Sequence, residues 1–191
     1  MAEKRIGVLG GTFDPVHIGH LVLAEAAREQ LSLERVIFIP TGIQWRKAGR
    51  KIGAAEHRAA MVALAIEGNP AFELSTLEVE RPGPSYTADT LEALHRLYKG
   101  AQLFFIVGRD ALDDMPNWVR PERILEIATV AVAERAGEVG AGEGIDAVGV
   151  EMPEIGVSAT EIRERVAAGR TIRYLVPEAV EAYIRKHALY T

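Results

Sequence analysis

Two histidines stand three residues apart, just after a turn that contains glycine and proline. The stretch reads GGTFDPVHIGH over residues 10–20 and places His17 and His20 at a spacing of i, i+3. Residues at this spacing share one side of a helix. The start of a helix offers free N–H groups and the positive end of its dipole to an anion. The residue types therefore indicate a phosphate site at a turn that opens a helix.

Two other interpretations of this stretch are open. The histidine pair with Asp14 as a third ligand is a candidate metal site, although no acidic or histidine cluster nearby clearly completes it. A turn with two surface histidines would need no ligand at all. The stretch contains neither G-x-G-x-x-G nor G-x-x-x-x-G-K-[ST], so it gives little support to a dinucleotide dehydrogenase or a P-loop enzyme.

Alternating strand-like and helix-like segments must position this turn. Short apolar runs at 5–10 and 35–40 predict buried parallel strands, and apolar residues at helical spacing predict a helix over 17–31 between them. Farther along, the patterns predict helices at 54–68 and 87–98, an extended segment at 72–80, and strands at 103–108 and 129–134. This alternation predicts an α/β fold: a Rossmann-like doubly wound parallel sheet with helices on both faces and a small C-terminal helical part.

We expect one domain over residues 1–191, with a C-terminal helical subregion at 157–191 and a surface loop at 136–144. Ligands of such sheets bind beyond the carboxyl ends of the strands, where the strand order reverses. The GGTFDPVHIGH stretch follows the first predicted strand and so falls at this edge. Gly10 and Gly11 permit φ angles and backbone approaches there that side chains would obstruct, and we expect the helix to begin near His17 or Ile18.

Composition excludes several classes of function. The 191 residues are 48% hydrophobic and 26% charged, which suits a globular protein with a proper core. A net charge of -5 argues against broad attachment to nucleic acid or to an anionic membrane. The absence of cysteine excludes disulfides and cysteine-ligated metal sites. With no signal-peptide pattern and no apolar run of membrane-spanning length, we expect a soluble cytoplasmic protein; a homo-oligomer is left open.

Two motifs carry a family resemblance. Residues 10–20 resemble the first motif of the nucleotidyltransferases that have an H-x-G-H or T-x-G-H element. GVSATEIRERV at 156–166 resembles their second motif, a [ST]-x-[ST]-x-x-R string that opens a helix. Ser158 and Glu161 also fit a capping box, which leaves Arg163 unexplained. Both interpretations can hold, because a capped helix start can still receive a triphosphate.

Three further parts of the chain narrow the resemblance. They are RPGPSYTADTL at 81–91, GRDAL at 108–112 with MPNWVRPERIL at 115–125, and the ending RYLVPEAVEAYIRKHALY. The chain resembles the bacterial nicotinate mononucleotide adenylyltransferases from Gly10 to Tyr190. Pantetheine-phosphate adenylyltransferases more usually have T-x-G-H where this chain has His17, and they lack the SYT segment and this ending. Cytidylyltransferases share H-x-G-H but not the rest.

The resemblance implies that nicotinate mononucleotide and ATP are joined to give deamido-NAD and pyrophosphate, in NAD biosynthesis. The expected partners are these small-molecule substrates, with Mg²⁺ entering alongside ATP and no metal site of the protein's own. The nucleophile is a phosphate oxygen already ionised at neutral pH, and pyrophosphate is a stable leaving anion. We therefore expect direct in-line attack without a covalent enzyme intermediate, driven by positioning and charge stabilisation rather than by proton transfer.

The resemblance also assigns residues to the site. It implies catalytic roles for His17, His20 and Arg163. It implies contacts to ATP and its phosphates from Gly10, Gly11, Thr12, Phe13, Lys47, Gly108, Asp110, Ser158 and Thr160, and contacts to nicotinate mononucleotide from Arg46, Ser85, Tyr86, Thr87 and Trp118. Local alternatives exist for three of them: Asp110 and Thr87 fit helix N-caps, and Trp118 fits a cover over apolar surface.

The chain departs from the family pattern in two segments. The family often has P-P-H-K after the second strand, where this chain has Gln44, Trp45, Arg46 and Lys47. Arg46 would replace the histidine as a phosphate donor with a permanent charge, although RKAGRK at 46–51 is equally consistent with a solvated loop. Ala159 stands where the second motif frequently has another serine, so one hydroxyl donor is missing.

Three other functions remain open. Nicotinate and nicotinamide mononucleotides differ only by a carboxylate against an amide, so an enzyme for the nicotinamide form or for both is an alternative. A pantetheine-phosphate adenylyltransferase is the second. The third is a non-catalytic nucleotide sensor on the same fold, against which stands the joint presence of His17, His20, Thr160 and Arg163.

Overall fold

Six parallel strands form the sheet in the computed structural model, which describes residues 4–43, 52–135 and 145–191. The strands are β1 (Lys4–Gly11), β2 (Arg35–Pro40), β3 (Phe72–Leu74), β4 (Ala101–Val107), β5 (Ala128–Arg135) and β6 (Ala147–Met152). Their order is β3-β2-β1-β4-β5-β6, and every neighbouring pair is parallel. The order reverses between β1 and β4, so the carboxyl ends of these two strands border the expected ligand cleft.

Eight helices are present in the described part of the chain. They are α1 (Ile18–Gln30), α2 (Ala55–Ile66), α3 (Leu77–Glu80), α4 (Thr87–Leu97), α5 (Arg109–Asp114), α6 (Pro121–Ile127), α7 (Ala159–Ala167) and α8 (Glu178–Lys186), with one 3-10 turn at Met115–Asn117. None of these described helices has the length and apolarity needed to cross a membrane.

Successive strand residues enter two separate apolar clusters, one on each face of the sheet. Leu9 of β1 belongs to the first cluster, whereas Ile6 and Val8 belong to the second. Side chains of α1, α2, α7 and α8 complete the first cluster, and those of α4, α5 and α6 complete the second. Because the side-chain period of a strand is two, apolar strands of this kind are buried on both faces. The predicted doubly wound α/β fold is confirmed.

The element predictions fail in two places. Residues 72–80 were expected to be extended, but only Phe72–Leu74 is a strand and Leu77–Glu80 forms α3. The reason is tertiary: α3 buries Glu78, whose Oε1 accepts a hydrogen bond from Thr90 Oγ1 at 2.8 Å. Helix α6 was not predicted at all, although Pro121 at its first turn is a usual start. The loop predicted at 136–144 lies outside the described residues.

The C-terminal helices pack on the sheet. Ile162 of α7 and Val180 and Ile184 of α8 are buried in the first cluster with the side chains of α1. The division into a single domain with a helical subregion at 157–191 stays a prediction.

Candidate functional site

The turn after β1 lies at the carboxyl edge of the sheet, between the ends of β2 and β4. The register pairs Leu9 with Phe38 on one side and with Ile106 on the other. Gly10 and Gly11 therefore end β1 beside the end of β4, after which Gly108 begins the next connection. This arrangement gives the turn two neighbouring loops with which to form a site.

The two histidines lie against each other at the start of α1. His17 is the N-cap residue, and its ring centroid is 3.8 Å from that of His20. The backbone N–H of His17 donates to Nδ1 of His20 at 3.2 Å. Since Nδ1 of His20 is an acceptor, the neutral ring carries its hydrogen on Nε2 and can donate it. Phe13 packs edge-on against the His20 ring with centroids 5.0 Å apart.

Burial keeps both imidazoles neutral at physiological pH. Desolvation lowers the pKa of His17 to about 4. Burial, and secondarily the neighbouring His17, lowers the pKa of His20 to about 3. Nδ1 of His17 is itself buried without a partner among the described residues. Neutral rings of this kind suit the donation of hydrogen bonds to an anion better than the transfer of protons.

The glycines of this turn act through space rather than through backbone angle. Gly10 and Gly11 lie in β1 and do not have a positive φ, so neither position uses the backbone angles that only glycine permits. The left-handed residue is Phe13, with a φ of 50°. A Cβ on Gly11 would lie 3.0 Å from the Phe13 ring, whereas one on Gly108 would have no neighbour within 4 Å. The lack of a side chain at Gly11 therefore makes room for the Phe13 ring. At Gly108, after β4, the carboxyl edge of the sheet is not crowded by other atoms of the described residues.

The second predicted motif meets the first one in space. Arg163 of α7 donates from Nη1 to the backbone carbonyl of Asp14 at 2.7 Å, and its Nη2 donates to Thr160 Oγ1 at 3.2 Å. Ser158 is the N-cap of α7 and accepts the N–H of Glu161 at 3.1 Å. The cap and the contact of Arg163 thus coexist, and a cationic donor reaches the turn from the far end of the chain.

Of the residues assigned to the nicotinate end, Ser85, Tyr86, Thr87 and Trp118 lie in the described part of the chain. Ser85 Oγ accepts the N–H of Gly42 at 3.1 Å, which ties the SYT segment to the connection after β2. Thr87 is the first residue of α4 and Tyr86 is its N-cap, so Thr87 is not the cap. Trp118 packs edge-on against Phe105 with centroids 6.1 Å apart and donates from Nε1 to Asp114 at 3.0 Å. Its ring is half-buried.

The structure also places Asp110 and Phe13, two residues assigned to ATP. Asp110 lies in the first turn of α5, whose N-cap is Gly108, so Asp110 is not the cap and its carboxylate is exposed. Phe13 is buried with 2% exposure, and its ring packs against His20 and Phe38. Arg46 and Lys47 lie outside the described residues.

Comparisons with known proteins agree with this geometry. A family model described as Cytidylyltransferase-like matches residues 8–165. The probable nicotinate-nucleotide adenylyltransferase of Thermomicrobium roseum is 48% identical, with 98% of this chain and 92% of that protein covered. The protein of the same name from Roseiflexus sp. is 46% identical, with 100% of each chain covered.

The chain belongs to the nicotinate-nucleotide adenylyltransferase family.

Solved structures agree in fold with this assignment. Plasmodium falciparum nicotinic acid mononucleotide adenylyltransferase complexed with NaAD superposes with a TM-score of 0.81 at 19% identity, covering 98% of this chain and 97% of that chain. A putative nicotinate-nucleotide adenylyltransferase from Vibrio parahaemolyticus gives a TM-score of 0.74 at 20% identity, covering 98% and 95%. At these identities the likeness concerns the fold alone.

In this family member, Asp14, the third ligand of the metal interpretation, has other partners. The Asp14 carboxylate is 4% exposed and accepts hydrogen bonds from Tyr190 Oη at 2.7 Å and from the Gly53 N–H at 3.2 Å. It is therefore engaged with the protein rather than available beside His17 and His20. The described residues contain no group of three metal-ligating side chains.

The helix start offers fewer free N–H groups than the sequence suggested. The Ile18 N–H donates to the Leu175 carbonyl at 3.0 Å, and the His20 N–H donates to the His17 carbonyl at 3.0 Å. Within the described part of the chain, the Gly19 N–H is the first-turn donor that remains. The dipole is unchanged, but the imidazoles and Arg163 must contribute more of the contacts to an anion.

Arg58 of this adenylyltransferase family member was not among the residues predicted for the site. Arg58 is 2% exposed, and its guanidinium donates to the carbonyls of Thr12 at 2.7 Å, Gly53 at 2.9 Å and Gly42 at 3.2 Å. One pattern could have found it: Arg58, Met61 and Val62 share a helical stripe that is otherwise apolar. A charged residue within such a stripe indicates a buried polar contact.

Proposed function

We propose that this protein transfers the adenylyl group of ATP to nicotinate mononucleotide, giving deamido-NAD and pyrophosphate. The observation that carries the proposal is the 2.7 Å hydrogen bond from Arg163 to the Asp14 carbonyl. It brings the donors of α7 to the turn that holds His17 and His20, so that phosphate-directed groups converge at the switch point of the sheet. The names of the relatives supply the substrate class.

The reaction exchanges one bond at phosphorus for another. An oxygen of the nicotinate mononucleotide phosphate attacks the α-phosphorus of ATP in line, and the bond to the bridging oxygen breaks, which releases pyrophosphate. The attacking oxygen is already ionised, so no base is required. Mg²⁺ enters as the complex with ATP, because phosphate oxygens are the hard ligands this ion prefers.

The chain's own residues stabilise the charge that builds during transfer. In this proposal, neutral His17 and His20 donate hydrogen bonds to phosphate oxygens, His20 from Nε2. Thr160 and Arg163 hold the β- and γ-phosphates, with Ser158 beside them and Lys47 adding a cation. Preorganised donors of this kind supply the largest part of many rate enhancements.

The remaining assignments position the two substrates. Gly10, Gly11, Thr12, Phe13 and Gly108 present backbone to ATP, and Asp110 contacts a ribose. Trp118 stacks on the pyridine ring, while Ser85, Tyr86 and Thr87 approach its carboxylate and Arg46 approaches the mononucleotide phosphate. Specificity for the carboxylate over an amide follows if the pocket's donors are left unpaired by the wrong substituent. A cytoplasmic location and the absence of a nucleic-acid partner stay predictions.

One incubation separates the alternatives. Purified protein is mixed with ATP and Mg²⁺ and with nicotinate mononucleotide, nicotinamide mononucleotide or pantetheine phosphate, each in turn, and pyrophosphate and the adenylylated product are measured. We expect a much larger kcat/KM with nicotinate mononucleotide. Equal use of both mononucleotides would make the enzyme dual-specific, and product from pantetheine phosphate alone would move it to the sister family. No product with any acceptor would favour the nucleotide sensor.

A further inference from the structure

A buried carboxylate connects the phosphate-binding turn to the segment after α8. Asp14 Oδ1 accepts the hydroxyl of Tyr190 at 2.7 Å, and the Gly53 N–H lies 3.2 Å from both carboxylate oxygens. A Cβ on Gly53 would lie 2.6 Å from Oδ1, so only glycine allows this approach. The same residue, Asp14, receives Arg163 on its backbone carbonyl. A change in the contacts of the Asp14 carboxylate can therefore be passed, through the Asp14 backbone, to Arg163, which is the predicted phosphate ligand.

Arg58 holds the same turn from the side of α2. Its three hydrogen bonds end on carbonyls of three different segments: the turn after β1 (Thr12), the connection after β2 (Gly42) and the residues before α2 (Gly53). A planar guanidinium can serve three acceptors in fixed directions, which an ammonium cannot do. Burial lowers the pKa of Arg58, and the nearby Asp14 opposes that effect. The two charges thus compensate each other within the protein.

Tyr190 follows α8, and α8 packs against the first cluster and against α2. His57 Nδ1 lies 2.9 Å from the hydroxyl of Tyr183, which joins α8 to the helix that carries Arg58. Val180 and Ile184 bury the inner side of α8 in the first cluster. Burial and the contact to Asp14 raise the pKa of Tyr190, so its hydroxyl stays a donor. These contacts anchor α8 and bring the hydroxyl of Tyr190 to Asp14.

We propose that Tyr190 and Arg58 are positioning residues for the ATP phosphates: they fix the turn around Asp14 so that Arg163 and Thr160 face the bound triphosphate. The inference rests on the proposed function and names residues that act through others without touching substrate. Arg163 divides its guanidinium between the Asp14 carbonyl and Thr160 Oγ1. Displacement of the turn therefore displaces both groups together.

Tyr190→Phe is the first test, with Tyr174→Phe as its matched control. Tyr174 is 84% exposed and lies over Arg173 on the surface, so its hydroxyl is not part of this network. A hydrogen bond to a charged group contributes enough that its loss changes an equilibrium about tenfold. We expect kcat/KM for ATP to fall about tenfold in Tyr190→Phe, while KM for nicotinate mononucleotide stays within about twofold; the control should match wild type.

Arg58→Lys is the second test, with Arg185→Lys as its control on the exposed side of α8. Arg185 pairs with Glu181 at 2.9 Å and lies outside the network. Lysine keeps the charge but loses the three-way geometry, so the same selective effect on ATP is expected. If Arg58→Lys does not fold, Tyr190→Phe decides the matter alone. A purely structural role would lower the unfolding temperature of Tyr190→Phe without changing kcat or KM for ATP, and that result would overturn the proposal.

A binding measurement keeps this inference separate from the proposed function. The affinity for inorganic tripolyphosphate with Mg²⁺ is measured by calorimetry for wild type, Tyr190→Phe and Tyr174→Phe. If wild type forms no dinucleotide, the proposed function fails, but about tenfold weaker tripolyphosphate binding by Tyr190→Phe alone would still support positioning. If wild type is active and Tyr190→Phe equals it in kcat, both KM values and tripolyphosphate affinity, positioning fails and the proposed function stands.

Discussion

At the scale of single residues, the proposed roles of His17 and His20 depend on the protonation state of their imidazoles. His20 accepts a backbone N–H on Nδ1, which leaves Nε2–H as the group it can offer. Burial holds both rings neutral near pH 7 by lowering their pKa values. A neutral donor that does not have to lose a proton is suited to a reaction whose nucleophile is already an anion.

Removal of the His20 ring should reduce turnover without unfolding the protein. In His20→Ala we expect kcat to fall about 100-fold or more, because a preorganised donor to the transition state is lost. Steady-state kinetics and circular dichroism measure the two effects. His95→Ala, on the exposed side of α4, is the matched control. Turnover of His20→Ala within a few-fold of wild type would rule out the role.

Buried neutral histidines should also make stability depend on pH. The ordinary histidine pKa of 6.5 is lowered to about 4 in His17 and to about 3 in His20. Between those values and pH 6.5 the unfolded chain binds protons that the folded chain does not, so the free energy of unfolding falls as the pH drops. Urea unfolding at pH 7 and pH 5 should show a smaller loss for His17→Gln than for wild type. Equal losses would contradict the lowered pKa.

At the scale of elements, the connections at the carboxyl edge are shaped by close contacts between segments. Gly42 follows β2, and a Cβ on it would lie 2.1 Å from the backbone carbonyl of Glu78 in α3. Its N–H donates to Ser85, which precedes α4. The proposed nicotinate end therefore borders two connections and α3, which pack directly on one another.

A methyl group at Gly42 should disturb this assembly. We expect Gly42→Ala to lower the free energy of unfolding by about 1–3 kcal/mol, since backbone atoms must move to make room. KM for nicotinate mononucleotide should rise with it, because Ser85 shifts. Gly156→Ala provides the comparison: no heavy atom lies within 4 Å of its Cβ position. If chemical denaturation gives equal stabilities for the two variants, the close approach is not restrictive.

At the scale of the whole molecule, two apolar clusters on opposite faces share one sheet. Ile162 of α7 is fully buried in the first cluster, and Trp118 packs beside the second. If the chain is one cooperative domain as predicted, a loss of packing on one face of the sheet should also lower the stability of the other face, because both faces share the same strands.

Ile162→Ala tests this coupling. In a Trp45→Phe background, where fluorescence reports on Trp118, we expect a loss of about 2–5 kcal/mol in the free energy of unfolding. Fluorescence and circular dichroism should give one coincident transition. Leu97→Ala, at a site 71% exposed, should change stability by less than about 0.5 kcal/mol. An unshifted Trp118 transition in Ile162→Ala would argue for separate domains.

Local sequence patterns were sufficient to predict an element where its residues followed a single hydrophobic periodicity. β2 spans the predicted residues 35–40, and α1 begins at Ile18 as expected, because apolar spacing and a proline decide these elements over a few residues. They were insufficient for α3, where burial of Glu78 against Thr90 overrides the extended pattern. They were also insufficient at Thr87 and Asp110, because the N-caps are Tyr86 and Gly108. The residue that becomes the N-cap depends on the path of the connection before the helix.

By itself, the sequence determined the fold class, the family and the two phosphate-directed motifs, because each of these is encoded in residue types at short spacing. Only the tertiary structure decided that Asp14 belongs to a buried network with Arg58 and Tyr190, that the start of α1 keeps few free N–H groups, and that Arg163 reaches the first motif. Tyr190 is 176 positions from Asp14 along the chain. Contacts across such separations depend on how the sheet and helices pack, which no local spacing specifies.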